Sequence, residues 1–297
     1  MSVTNDKAIV AGKATEPIVA QSTLPTETKV ISPSNCMIVN LPLDNGPRRT
    51  PASGSVEATG SAEATGPAGA TGSTVLPKSG SGATLPDMGH LIFVRHGQSV
   101  VNALNKDRPG NRIFCGQLDT PLTSRGRAEA VAAGRQLARL PGIRVTTAVS
   151  SPLARTRETL ALILDQLPGP VEWLAPRSEL AERSLGAFEG REEEAVYREY
   201  PRFRDEPAYR QFDNHFQQRA PGGENLNDVI ARAWPAVQRL ESETSGDLLV
   251  VSHYSTIRSV LHVALGLDPD ETLTMRVPNA VPIIVTRGPE YRRIAIV

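Results

Sequence analysis

Leu91-Ile92-Phe93-Val94-Arg95-His96-Gly97-Gln98-Ser99 is the stretch on which the reading of this chain turns. Four consecutive apolar residues read as a strand buried on both faces, the kind that a parallel sheet between helical layers requires. Polarity then changes abruptly at Arg95 and His96, and Gly97 lets the backbone turn sharply. Ligands of open α/β sheets collect outside the carboxyl ends of the strands. An Arg and a His at such an edge suit an anionic ligand.

Working outward, Leu248-Leu249-Val250-Val251-Ser252-His253 repeats the logic: a buried strand ending in a His. Val145–Ser150 reads as a further strand. Ser151-Pro152 follows it, with Ser151 at a helix N-cap and Pro152 at the first helical position. Arg155 then lies in the first turn. Helical side chains lean toward the N-terminus, which aims Arg155 at the edge that carries His96. Free N–H groups at that helix end favour anions. Arg157 fits a solvated helix face. Thr123 is expected to cap a helix through about Leu140, with Ala130, Val131, Gly134 and Leu137 inward. Asn225 and Asp228 open another, whose apolar stripe is Leu226, Val229, Ile230, Ala233, Val237 and Leu240. Pro235 is expected to kink it. A helix over Ser255–Leu265 ends before Gly266, with His262 as a packed residue. Strands at Ile283-Ile284-Val285 and at 293–297 complete the sheet. The fold class expected is α/β: a three-layer α/β/α sandwich with a mostly parallel central sheet.

Two segments depart from this alternation. Val100–Pro121 reads as a long loop, and insertions at this edge shape access to a ligand. Residues 191–220 mix charge with Tyr197, Tyr200, Phe203, Tyr209, Phe212, His215 and Phe216. That pattern suggests a helical cap insertion over the site rather than a base-stacking surface.

Residues 1–88 read as a disordered low-complexity tail, and 89–297 as the folded domain. The tail has no aromatic residue, and an Ala-Thr-Gly triplet recurs to end at Gly60, Gly66 and Gly72. Such a segment buries too little apolar surface to offset its ordering entropy. Within it, only Cys36–Leu43 is apolar, and it is expected to be a loose cluster rather than a docking motif. Met88, directly before the first strand, is an alternative start, which the N-terminal peptide of the native protein would distinguish.

Thirty-two basic and 32 acidic residues give no net charge, so no basic surplus points to nucleic acid or an anionic membrane. Cys36 and Cys115 are too few for a disulfide framework and lack metal-ligand spacing. No run is long and apolar enough to span a membrane, and no signal peptide is recognisable. The cytoplasm is the expected compartment. The sequence leaves the oligomeric state open between monomer and homodimer.

Arg95-His96-Gly97 resembles the signature of the histidine phosphatase superfamily, the phosphoglycerate-mutase-like proteins. Further stretches match the same family in order. Asn102, then Gly116 and Asp119-Thr120-Pro121-Leu122-Thr123, resemble the segment after the signature. Ser151–Thr159 is similar to Ser-x-Leu-x-Arg-x-x-x-Thr. Leu180–Gly190 is similar to Leu-x-Glu-x-x-x-Gly-x-x-Glu-Gly, and Pro221–Asn225 to Pro-Gly-Gly-Glu-Ser. Tyr254 stands where the family has the Gly of Ser-His-Gly, a departure expected to narrow the pocket or add a hydroxyl near the phosphate.

The resemblance implies catalytic roles for His96, Glu182, Arg95, Arg155 and His253. His96 would attack phosphorus, giving a phosphohistidine. Arg95, Arg155 and His253 would neutralise the phosphoryl oxygens. The two guanidiniums are expected to hold His96 neutral. Glu182 would protonate the leaving oxygen and later take a proton from water. Asn102, Gly116, Arg183, Tyr254 and Arg112 are candidate substrate contacts, Arg112 being equally readable as solvated. Glu189 is expected to hold a turn. Neither a metal nor a cofactor is implied, and the partner expected is a small phosphomonoester. Glu224 stands only 42 positions after Glu182. Cofactor-dependent mutases of the family are longer there, so hydrolysis is favoured over a phosphoglycerate-type mutase. The Glu182-Arg183 pair keeps the mutase reading open. A non-catalytic phospho-ligand-binding protein is the third reading.

Overall fold

The computed structural model describes residues 89–287, together with the strand segments Met37–Val39 and Ile294–Ile296. At its centre lies β2 (His90–Arg95), buried on both sides. The strand order is β1 (Met37–Val39), β7 (Ile294–Ile296), β6 (Pro282–Thr286), β2, β5 (Asp247–Ser252), β3 (Val145–Ser150) and β4 (Glu172–Trp173). The block β2-β5-β3-β4 is parallel; β6 turns antiparallel to β2, and β7 and β1 extend that wing.

Alternation along the strands builds two cores. Leu91 and Phe93 of β2 pack with Leu248 and Val250 of β5 under α6 (Leu226–Glu243) and α7 (Tyr254–Leu265). Ile92 and Val94 pack with Leu249 and Val251 under α2 (Ser124–Leu137) and α3 (Ala154–Leu164). Three layers result, as expected for a sheet that is apolar on both faces. Asn225 and Asp228 form a reciprocal capping box at α6, which runs on through Pro235. Gly266 ends α7 in the left-handed conformation.

The segment expected as one long loop starts with a helix, α1 (Val100–Lys106). Ser99 caps it, and Asn102 returns a bond to the Ser99 N–H, so Asn takes the place usually given to Glu or Gln. The helix after β3 also starts later than expected. Leu153, not Ser151, precedes its first residue, because Leu153 is extended and folds back onto the Ser151 hydroxyl. Arg155 remains in the first turn.

The cap comprises α4 (Glu193–Glu199), α5 (Arg202–Asp205) and a 3₁₀ turn at Phe212–Asn214. Its aromatic residues form a third core, in which Phe203 and Phe212 pack edge-on against Phe188 and join Phe114. A short α8 (Pro269–Thr274) leads to β6. His262 is only half-buried; it bonds Thr272 and packs on Phe216. The reading of residues 1–88 as a disordered tail lies outside the described residues, as do the Cys36 side chain and Met88. Met37–Val39 is the exception: part of the apolar cluster pairs with β7 as an edge strand.

Candidate active site

The β2–β5 register sets Arg95 opposite Ser252, so His96 and His253 leave the sheet side by side. Their ring centroids are 5.2 Å apart. The His96 N–H continues the ladder to the Ser252 carbonyl at 3.0 Å. Its ring Nδ1 lies 2.8 Å from the Gly97 carbonyl. A carbonyl only accepts, so Nδ1 carries the proton and Nε2 keeps its lone pair. His96 is 3 % exposed. Burial, then the charges of Arg95 and Arg155, hold its pKa well below the ordinary value, against the opposing pull of the Gly97 carbonyl. Burial thus outweighs the guanidiniums, to which the expectation had given the effect.

His253 is fully buried, and its pKa is likewise well below the ordinary value, through burial and then Arg155, His96 and Arg95. Its Nε2 lies 2.7 Å from the Ser151 Oγ, the hydroxyl expected at a helix cap. Its Nδ1 is buried and has no partner.

Arg95 and Arg155 converge on the histidines. Arg155 donates to the carbonyls of Leu118 at 2.8 Å and Gly116 at 3.0 Å, and Arg95 to that of Val277 at 3.0 Å. The Nε of each is buried without a partner. Together with the His253 Nδ1, these nitrogens lack acceptors where four functional side chains meet. Buried polar groups ordinarily find partners, so the cluster calls for an anion. Arg157 is exposed, as expected.

The Glu182 carboxylate caps the other side. It accepts from the N–H groups of Arg183 at 2.8 Å and Ser255 at 3.1 Å, the latter in the first turn of α7. The Ser252 and Thr256 hydroxyls pin the carbonyls of Leu180 and Ala181 just before it. A cavity of about 170 Å³ opens beside Glu182, with Arg112, Gly116, Arg183 and Asp213 in its wall. The histidines do not line this cavity.

The other predicted contacts divide. Gly116 serves Arg155 through its carbonyl. Asn102 caps α1 and accepts from Asn279 at 3.4 Å. Arg112 is partly exposed and not free: it pairs with Asp213 at 2.6 Å and Glu193 at 3.4 Å. Arg183 donates to the carbonyls of Asp213 at 2.6 Å, Phe212 at 3.3 Å and Glu224 at 3.3 Å. The Tyr254 hydroxyl binds the Met275 carbonyl at 3.1 Å, and the ring packs against the Arg95 and Arg258 guanidiniums. The hydroxyl therefore donates its proton to the backbone. Glu189 holds its turn through the N–H groups of Leu185 and Gln117. Ser151, Arg232 and Asn279, whose Nδ2 donates to the His96 carbonyl at 2.8 Å, escaped the reading of the sequence. Ser151 reads locally only as a helix cap, and no local pattern marks the other two, since each acts on a residue distant in the chain.

Known proteins resemble this chain over most of the folded region. A 2,3-bisphosphoglycerate-dependent phosphoglycerate mutase of Brucella melitensis is 33 % identical over 200 residues, 65 % of this chain and 90 % of the relative. The enzyme of that name from Bartonella tribocorum is 29 % identical over 206 residues, 67 % of this chain and 93 % of its own. A mycobacterial glucosyl-3-phosphoglycerate phosphatase structure superposes with a TM-score of 0.56 and 25 % identity, over 70 % of this chain and 98 % of that one. The family model of the histidine phosphatase superfamily (branch 1) matches residues 91–296. Strand ends, paired histidines and family match converge, and the chain belongs to the histidine phosphatase superfamily.

Proposed function

We propose that the protein hydrolyses a small phosphomonoester through a phosphohistidine on His96. The observation that carries this reading is the buried His96 itself. Its Nδ1 proton is committed to the Gly97 carbonyl, and its free Nε2 sits among unpartnered cationic donors. In the first half-reaction the Nε2–P bond forms as the ester P–O bond breaks. Glu182 gives its proton to the departing oxygen, which would otherwise leave as a poor alkoxide. Arg95, Arg155 and the His253 Nδ1–H receive the equatorial oxygens. Ser151, donating to the His253 Nε2, leaves the proton of the neutral ring on Nδ1. In the second half, water attacks phosphorus and yields a proton to Glu182. The N–P bond breaks, releasing phosphate and neutral His96.

A mutase is the competing reading, favoured by the names of the curated relatives. It needs Arg183 to hold substrate, whereas both terminal nitrogens of Arg183 are committed to backbone carbonyls, leaving only its Nε without a partner. The short segment between Glu182 and Glu224 also favours hydrolysis. The glucosyl-3-phosphoglycerate phosphatase is a precedent for hydrolysis on this fold.

A panel of phosphomonoesters, p-nitrophenyl phosphate included, tests the reading by phosphate release. His96→Ala is expected to lose activity by about 10³-fold or more, the scale of removing a nucleophile. Rapid quenching of the wild type should trap an acid-labile phosphoenzyme that His96→Ala lacks. Conversion of 3-phosphoglycerate to its 2-isomer without free phosphate would reverse the choice in favour of the mutase.

A further inference from the structure

Arg232 stands on α6, outside every motif that carries the family resemblance, yet it reaches the segment that bears Glu182. Its Nε and one terminal nitrogen grip both carboxylate oxygens of Glu224, at 2.7 and 2.9 Å. Two further N–H groups go to backbone carbonyls, Glu179 at 2.6 Å and Glu182 itself at 3.1 Å. Glu224 also accepts from the Ser184 N–H at 2.8 Å. The pair therefore holds the backbone before, at and after Glu182. A second donor, the Gln117 side chain, meets the Glu182 carbonyl at 2.8 Å. The pair is about four-fifths buried, with 20 % and 23 % of the side chains exposed. A bidentate Arg–carboxylate pair fixes geometry as well as charge, and lysine does not reproduce it.

Proton transfer to a leaving oxygen demands that the carboxyl lie within hydrogen-bond reach of it, and small displacements are costly. We propose that Arg232, oriented by Glu224, is a positioning residue for proton donation by Glu182. The inference rests on the reading of Glu182 as the general acid. Its signature is selectivity among leaving groups. An alkyl phosphomonoester needs its leaving oxygen protonated. The nitrophenolate of p-nitrophenyl phosphate departs without a proton.

The test compares kcat/KM for glycerol phosphate and p-nitrophenyl phosphate in the full-length wild type, Glu182→Gln, Arg232→Lys, Arg232→Met, Glu224→Gln and Gln117→Ala. The ratio between the two esters is independent of how much of each variant is folded. Arg232→Lys and Glu224→Gln are expected to lower the ratio about tenfold, Gln117→Ala in the same direction by less, and Glu182→Gln furthest. Arg232 also adds positive charge near His253. Arg232→Lys keeps that charge, so a loss common to both esters in Arg232→Met but absent in Arg232→Lys is electrostatic and counts against positioning. Selective loss in Glu182→Gln, with equal losses on both esters in Arg232→Lys and Glu224→Gln, overturns the proposal alone. Equal losses in Glu182→Gln, or a wild type inert on both esters, overturn the reading of Glu182 and this inference with it.

Discussion

At the residue scale the proposed function needs a neutral imidazole, and the burial that keeps His96 neutral leaves a mark on stability. His96 and His253 resist protonation in the folded protein. In the unfolded chain each titrates near about 6.5. Below that pH the unfolded state takes up protons that the folded state refuses, so unfolding is favoured as pH falls. Above it both states are neutral and the effect vanishes. Each histidine should contribute a slope of up to about 1.4 kcal/mol per pH unit between about 6.5 and its folded pKa. Urea midpoints from pH 7 to 5 measure it, and His96→Gln or His253→Gln should flatten the slope by about one proton. A slope untouched by either substitution would show that the rings protonate in place. The identities of these residues were legible in Arg95-His96-Gly97 and Ser252-His253. The cause of their neutrality was not: burial outweighs the neighbouring guanidiniums, and burial is a property of the assembled sheet edge rather than of any short stretch. Ser151 shows the same limit. Its position before a proline reads as a helix cap, and only the meeting of β3 with β5 sets it against His253.

Between elements, the loop bearing His96 is held by close contact with the start of α2. Gly97 was legible as a turn residue. Its φ is not positive, and the requirement is space: a Cβ on Gly97 would lie 2.2 Å from the Gly126 carbonyl oxygen. A Cβ on Gly126 would lie 2.1 Å from that of Gln98. Thr123, capping α2, donates its N–H to the same Gln98 carbonyl at 2.9 Å. Gly126→Ala must therefore push α2 off the loop or the loop off the sheet. The expected cost is about 1–3 kcal/mol of stability. A displacement of about 1 Å at His96 would lower kcat about 10²-fold. Chemical denaturation and phosphatase assays of Gly126→Ala check both, and an alanine tolerated in each would mean that the contact gives way cheaply. The helices with long apolar stripes, α2 and α6, were readable from their period and caps. α1 was not, because it is short and begins Val100-Val101, residues that crowd the preceding turn.

For the molecule as a whole, the two sheet faces and the cap answer to different cores, and the proposed function then predicts that binding of the phosphoryl group and enclosure of the rest of the substrate are separable. Apolar runs in the strands announced the sheet cores. The cap announced only that aromatic residues were there, since aromatics spread over irregular segments show no period. Phe203 is fully buried and packs edge-on against Phe188 and Phe212 at 4.9 Å from each. None of its ring contacts reaches the residues of the sheet edge that hold His96 and His253. Phe203→Ala should cost about 3–5 kcal/mol of packing. That loss falls on α4, α5 and the turn at Phe212, whose carbonyls engage Arg183 and whose Asp213 engages Arg112. Residues 193–214 should then open as a local unit, since stability need not be uniform across a domain. Limited proteolysis should cut Phe203→Ala within 193–214 while the wild type resists. Inhibition by inorganic phosphate should stay within about threefold of the wild type, because Arg95 and His253 stand at strand ends and Arg155 on α3, all outside the cap. KM for phosphomonoesters with large leaving groups should rise at least about tenfold. Equal weakening of phosphate and of large substrates would show instead that the cap and the sheet edge fold as one cooperative unit, and that the site cannot be divided between them.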